Sequence, residues 1–292
     1  MTSPPSAKLG FGVSGPLGQF WFSERRTRTL IRMAIAGGID HFDTAPFYFD
    51  AEARLGAALR APGPAIFVST KTGTRRKGRG LVKDFSEAAI RRDVDESRRR
   101  LGRDCLDLLY LHGPTAAQTM DALPVLTALK REGAVRLIGV CGEGEPLALA
   151  ARRDFDAVMG VFNVIDRRNA DIFSEAKSRG VLTVAVAPLA QGLFDPRFRR
   201  PAGAADLWRL ARAALRPRYD RARIAAARRA LGPADPAGRA LGFALAQPSI
   251  DVVMTTTTKP RHLAASLAAR PLEAGACEDL NAFALDRGGV GP

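Results

Sequence analysis

Eight short apolar runs, rich in β-branched residues, punctuate the chain, and helix-length segments separate most of them. They read GFGV (10–13), IDHFD (39–43), AIFVSTK (65–71), LDLLYLH (106–112), RLIGVC (136–141), DAVMGVFN (156–163), VLTVAVAP (181–188) and DVVMT (251–255). Strands this continuously apolar are buried on both faces, which calls for a parallel sheet covered by helices. The stretches between them have helical periodicity. In SEAAIRRDVDESRRRLG (86–102), Ala89, Ile90, Val94 and Leu101 fall near one face, Ser86 is placed to cap, and Glu87 sits in the first turn. Eight strand–helix alternations within 292 residues predict an α/β fold, a (β/α)8 TIM barrel, with a doubly wound sheet as the alternative. The Arg-, Ala- and Pro-rich section at about 194–240, broken by Pro201, Pro217, Pro233 and Pro236, reads as an insertion after the seventh strand plus the helix that follows. One domain over residues 1–292 is expected.

Composition narrows the function classes. Apolar residues at 46% and charged residues at 25% give an ordinary globular balance. No apolar run approaches the roughly 18 residues of a membrane span, and MTSPPSAKLG at the start has no apolar signal core, so a cytoplasmic location is expected. Cys105, Cys141 and Cys277 lie far apart without C-x-x-C spacing, and with three histidines neither a disulfide framework nor a metal site is expected. The net charge of +14 comes mostly from arginine spread along the chain. Its clusters, RRTR (25–28), RRKGR (75–79) and RRR (98–100), lack the interleaved aromatics of a single-strand platform, and no nucleic-acid partner is expected.

GFGVSG (10–15) spells the dinucleotide pattern G-x-G-x-x-G, which needs a strand before it and a helix after it. Only AKL precedes it, and Pro16 and Gly18 stand where the helix should begin, so it reads as the first barrel strand and its turn.

The polar residues at strand ends are more informative. Asp43 ends the second run, Lys71 the third and His112 the fourth, and Tyr48 sits just after the second. The C-terminal ends of barrel strands converge on one mouth, so the fold gathers an acid, a phenol, an amine and an imidazole. A phenol with an ordinary pKa of about 10 transfers protons poorly near neutrality unless its anion is stabilised. An ammonium at Lys71 would lower it, and a carboxylate at Asp43 would keep that ammonium charged and in place. His112 would share the proton or orient a carbonyl oxygen. Such a site delivers a proton to a developing alkoxide. The accompanying hydride must come from a nicotinamide cofactor, since side chains supply none.

These segments resemble the aldo-keto reductase family. GIDHFDTAPFYFDAEARLGAAL is similar to its G-x-x-x-x-D-T-A-x-x-Y signature, FVSTK to its lysine strand, RLGRDCLDLLYLHGP to its histidine segment and LTVAVAPLAQGLF to its phosphate-loop segment. The resemblance implies a (β/α)8 barrel and NADP(H)-dependent reduction of an aldehyde or ketone, or oxidation of the corresponding alcohol or sugar. It implies a catalytic tetrad of Asp43, Tyr48, Lys71 and His112. It also implies cofactor contacts at Cys141, Gly142, Asn163, Pro188, Leu189, Gln191, Gly192 and Leu193.

Departures from the pattern fall on the cofactor side. Cys141 and Gly142 replace a Ser-Asn pair, Met159 a glutamine and Val186 the ring-stacking tyrosine, although Asn163 is kept. Glu143 or backbone groups would have to substitute. In TTTTKPRHLAAS, Thr256 and Thr257 stand at the family's Lys-Ser, His262 at its arginine, and Ala265 and Ser266 at its Glu-Asn. Threonine hydroxyls, Lys259 and Arg261 still suit a phosphate, so NADP(H) is favoured and NAD(H) possible. The thinned contacts leave an alternative, a weakly active or non-catalytic nucleotide-binding or regulatory barrel. Trp21 and Phe47, with Phe20 and Phe49, are expected to line an apolar pocket for a small-molecule carbonyl or alcohol.

Overall fold

The apolar runs fold as strands of one closed sheet in the computed structural model, which describes residues 5–78, 80–194, 201, 203–215 and 219–285. In chain order the strands are β1 (Leu9–Gly12), β2 (His41–Asp43), β3 (Phe67–Thr72), β4 (Thr74–Lys77), β5 (Gly80–Lys83), β6 (Leu106–His112), β7 (Val135–Cys141), β8 (Ala157–Val161), β9 (Leu182–Val186) and β10 (Val252–Thr255). Eight of them close a parallel barrel in the order β1-β10-β9-β8-β7-β6-β3-β2, as the sequence predicts, and the doubly wound alternative falls. The pair β4–β5 forms an antiparallel hairpin beside it. That hairpin contains most of the basic cluster at 75–79 (residue 79 lies outside the described residues) and was not anticipated, because its first strand is basic and its second, Gly80–Lys83, is short and exposed without apolar alternation.

The two-residue period of the strands divides the core into two clusters. Phe67, Leu108, Tyr110, Ala157, Met159, Val184, Val252 and Met254 pack together inside the barrel. Their alternates, among them Val68, Leu109, Val158, Ala185 and Val253, pack with Leu30, Ile90, Leu126 and Phe173 from the surrounding helices. The glycines of GFGV belong to the inward set. A β-carbon on Gly10 would lie 2.5 Å from the Met254 sulfur, and one on Gly12 2.5 Å from the Thr256 hydroxyl. They make room for neighbouring strands. The next α-helix starts only at Glu24, after a 3₁₀ turn over Gly15–Gly18, so no dinucleotide fingerprint is formed.

The helix Glu87–Leu101 shows how local sequence sets its ends. The Ser86 hydroxyl accepts from the Ala89 amide, Glu87 lies in the first turn, and Gly102 closes the helix at φ +67°. Residues 194–240 contain the helices Ala204–Leu215 and Arg221–Leu231 and the start of Pro236–Leu245, with Asp220 and Asp235 as side-chain caps on the last two. Pro217 and residues 195–200 lie outside the described residues. Among the described residues, no helix is long and apolar enough to cross a membrane.

Candidate active site

The strand period that builds the interior also aims the polar strand ends at one place. Lys71 follows Phe67 by four residues, and His112 follows Tyr110 by two, so both continue inward-facing rows. In register, Asp43 stands beside Ser69, Lys71 beside Tyr110, His112 beside Cys141, and Cys141 beside Met159. Asp43, His112 and Cys141 end their strands, and Lys71 stands one residue from the end of β3.

Lys71 and Asp43 are buried and form a very short ion pair through Oδ2. The ammonium also donates 2.8 Å to the Thr44 carbonyl. The Ser69 hydroxyl donates 2.8 Å to Oδ1 of Asp43, and its oxygen lies 3.0 Å from Nε2 of His41. Ser69 has one hydrogen to give, so His41 must carry its proton on Nε2 and donate it. Burial above all pushes the fully enclosed His41 down to about 3, which keeps it neutral.

Tyr48 ends a 3₁₀ turn, Pro46–Tyr48, in which proline pre-sets the backbone and the Tyr48 amide donates 3.0 Å to the Ala45 carbonyl. Its ring centroid lies 5.4 Å from Nζ of Lys71 and 6.0 Å from the His112 ring, the two rings crossing at 75°. The four expected residues are therefore brought together.

Burial would push the Lys71 amine down, but Asp43 and then Tyr48 offset it and hold the ammonium above its usual range. For Tyr48, desolvation raises the phenol and Lys71 pulls it back, with the net direction upward. Lys71 lowers the phenol as expected, but in the resting site burial outweighs the ammonium. His112 is pushed down to about 3 by burial, then by Lys71 and Lys83, and its buried Nδ1 has no partner among the described residues. A neutral imidazole orients an oxygen rather than sharing a proton. At neutral pH the rim presents a protonated phenol, a fixed ammonium and a neutral imidazole.

The residues expected on the cofactor side fall around the other half of the rim. Cys141 ends β7, where burial pushes its thiol up to about 11, and Gly142 donates 2.9 Å to the Met159 carbonyl. Met159 is part of the apolar interior. Asn163 is fully buried: Nδ2 donates 3.1 Å to both the Ala187 carbonyl and the Tyr219 hydroxyl, and Oδ1 accepts from the Ile165 amide. Its polar atoms are thus engaged within the protein. Glu143 lies 3.4 Å from Arg168.

Pro188 to Leu193 form a tight turn with Ala187, Ala190 and Gln191 all at positive φ. Non-glycine residues held there are strained, and such strain concentrates where a backbone is shaped for a ligand. Leu193 gives its carbonyl to the guanidinium of Arg228. In the TTTTKPRH segment, the Thr256 hydroxyl donates 3.0 Å to the Gly12 carbonyl and that of Thr257 accepts from the Lys259 amide. Lys259 is paired with Asp206 at 2.6 Å. His262 lies in the helix Pro260–Ala268, next to the exposed Arg261. Thr258, which sequence reasoning passed over, has a buried hydroxyl with no partner among the described residues. A strained turn, an orphaned hydroxyl and an exposed arginine on one rim fit a phosphate-bearing cofactor.

Phe47 stands edge-on to His112 at 5.9 Å and to Tyr48 at 6.0 Å. Trp21 lies on the neighbouring loop against Phe22, with Phe20 more exposed still. Arg54 pins that loop by donating to the carbonyls of Leu17, Gln19 and Phe22 at 2.8–2.9 Å, a role no motif signalled. The helix Ala204–Leu215 also reaches the mouth. A β-carbon on Gly15 would lie 3.3 Å from the Trp208 ring, and Arg212 acts electrostatically on Tyr48.

The Aldo/keto reductase family model matches residues 8–283. The chain belongs to this family. It is 32% identical to L-galactose dehydrogenase of Arabidopsis thaliana over 206 residues, which cover 64% of this chain and 62% of that protein. It is 30% identical to an NADH-specific methylglyoxal reductase of Escherichia coli over 57% of this chain and 58% of that one. The matched stretch thus spans about three-fifths of the length of these curated relatives. Among solved structures, a Bacillus halodurans aldo-keto reductase in holo form superposes with a TM-score of 0.79 at 26% identity, over 94% of this chain and 91% of that one.

Proposed function

We propose that this chain is a nicotinamide-dependent oxidoreductase that reduces an aldehyde or ketone to the alcohol, or runs the reverse reaction, with Asp43, Tyr48, Lys71 and His112 as its catalytic group. The observation that carries this reading is the Lys71 ammonium, fixed by Asp43 and 5.4 Å from the ring of Tyr48. A bound nicotinamide supplies the hydride. The protein's part is the proton and the geometry. Tyr48 holds its proton at neutral pH and donates it to the carbonyl oxygen as negative charge develops there. The phenolate left behind is stabilised by Lys71, whose charge Asp43 and the Thr44 carbonyl hold in place. Neutral His112 bonds the same oxygen and sets its direction. Phe47 and Trp21 shield the site from water and pack against the substrate's apolar part.

The strained turn at 187–191, Gly142, Thr258 and the TTTTKPRH segment would hold the cofactor. Lys259 is engaged by Asp206, so the preference for NADP(H) over NAD(H) rests on Arg261 and the threonine hydroxyls. NAD(H) use stays open on the same ground, and the Escherichia coli relative is named NADH-specific. A second reading, a barrel that binds nucleotide without efficient turnover, draws on the internal saturation of Asn163 and the apolar Met159. We also read the chain as one barrel unit, with residues 194–240 as an insertion whose helix Ala204–Leu215 bears on the mouth. A panel of aldehydes, ketones and sugars assayed for consumption of NADPH and NADH tests the proposal. Turnover of at least one class supports it, and tight cofactor binding with no turnover of any would favour the second reading.

A further inference from the structure

The hairpin β4–β5 leaves the barrel directly after the strand that carries Lys71 and turns back beside the mouth. Its base is tied to the site, since the Thr74 hydroxyl donates 2.6 Å to the His112 carbonyl. Three of the four cationic side chains on its strands meet different fates. Arg75 is neutralised by Asp93 and by Glu96, the latter at 2.7 Å. Arg76 and Lys83 have no carboxylate partner among the described residues.

Both are nonetheless held in position. The Arg76 guanidinium lies 4.2 Å from the Phe49 ring centroid and 5.3 Å from that of Phe47. Phe47 is also the ring that stands 5.9 Å from His112. Lys83 donates to the carbonyl of Gly113, the residue after His112. Stacking on aromatic faces leaves a guanidinium's in-plane N–H groups free, and these match the two oxygens of a carboxylate or phosphate. Across the mouth, exposed Arg212 adds positive potential, and it too has no carboxylate partner among the described residues. A positive rim around a partly apolar cleft concentrates anionic ligands.

We infer that Arg76 and Lys83 form an anion subsite beside Tyr48 and His112, and that the substrate is a carbonyl compound carrying a carboxylate or phosphate on the side away from the reacting carbon. The inference rests on the oxidoreductase reading and specifies the substrate class of that same site. Phe47 lies between the reacting groups and Arg76, so a flat or short spacer between carbonyl and anion fits best.

The test compares two matched pairs in the full-length protein: 4-carboxybenzaldehyde against its neutral methyl ester, and glyceraldehyde 3-phosphate against glyceraldehyde. The charged member of at least one pair is expected to have a kcat/KM about tenfold or more higher, the size of one charge-assisted contact. Which pair shows the preference identifies the anion. In the double variant Arg76→Gln/Lys83→Gln that ratio should fall to within about twofold of unity, and added salt should lower it in the wild type. Ratios near unity in both pairs, or a ratio unchanged in the double variant, would overturn the subsite while leaving the oxidoreductase reading intact. Failure to reduce any of the four aldehydes, while other carbonyls are turned over, would count against the subsite. Failure with every carbonyl and both cofactors would remove the reading beneath it as well.

Discussion

Ser69 donates its hydroxyl hydrogen to Oδ1 of Asp43 across 2.8 Å, which leaves Oδ2 to Lys71. His41 supplies the return bond to the Ser69 oxygen, so a chain of side chains one layer below the rim fixes the carboxylate that fixes the ammonium. Ser69→Ala breaks two of these contacts and strands a buried N–H on His41. A loss of about 1–3 kcal/mol in urea-unfolding free energy is expected, together with a fall in kcat larger than any change in KM. Wild-type stability and kcat in this variant would show that Asp43 needs no support from below.

His41 gives a pH signature. Its proton affinity is pushed down to about 3, chiefly by burial, whereas in the unfolded chain it takes up a proton below about pH 6.5. Its contribution is therefore fully present above that pH and is lost as the pH falls toward 3. The slope is up to about 1.4 kcal/mol per pH unit. His41→Gln keeps a donor for Ser69 but does not titrate. Stability of the variant between about pH 6 and pH 4 should decline less steeply than the wild type by roughly that amount per unit. Parallel curves would contradict a neutral buried imidazole.

The cofactor side yields a prediction at Arg261, which is exposed, unlike Lys259, which Asp206 already holds. Arg261→Ala is expected to raise KM for NADPH about tenfold while changing KM for NADH less than about twofold. Equal effects on the two cofactors would mean that this segment does not read the 2′-phosphate.

The barrel was legible in the sequence because its strands are buried on both faces and so appear as unbroken apolar runs. Asp43, Lys71 and His112 were legible because each follows such a run, and a closed barrel leaves their row one destination. The hairpin 74–83 was not, because one strand is basic, the other is short and exposed, and the pair stands outside the barrel sheet. Nor were Ser69 and His41, whose roles depend on register between β2 and β3, a long-range property that no local pattern carries. The net direction of the Tyr48 shift was not legible for a related reason. Charge pairing can be read from residue types, but desolvation depends on how closely the mouth packs. Asn163 matched its motif, yet its bonds to Ala187 and Tyr219 come from segments 24 and 56 residues away.

The most direct test of the central claim is Tyr48→Phe, measured both by carbonyl-dependent NADPH or NADH consumption and by fluorescence titration of the cofactor. Removing the phenolic hydroxyl while keeping the ring is expected to cut kcat by about 10² to 10⁴, the usual worth of a positioned proton donor, with cofactor affinity retained. Turnover at the wild-type rate in a variant that still binds cofactor would contradict the assignment of Tyr48 as the proton donor.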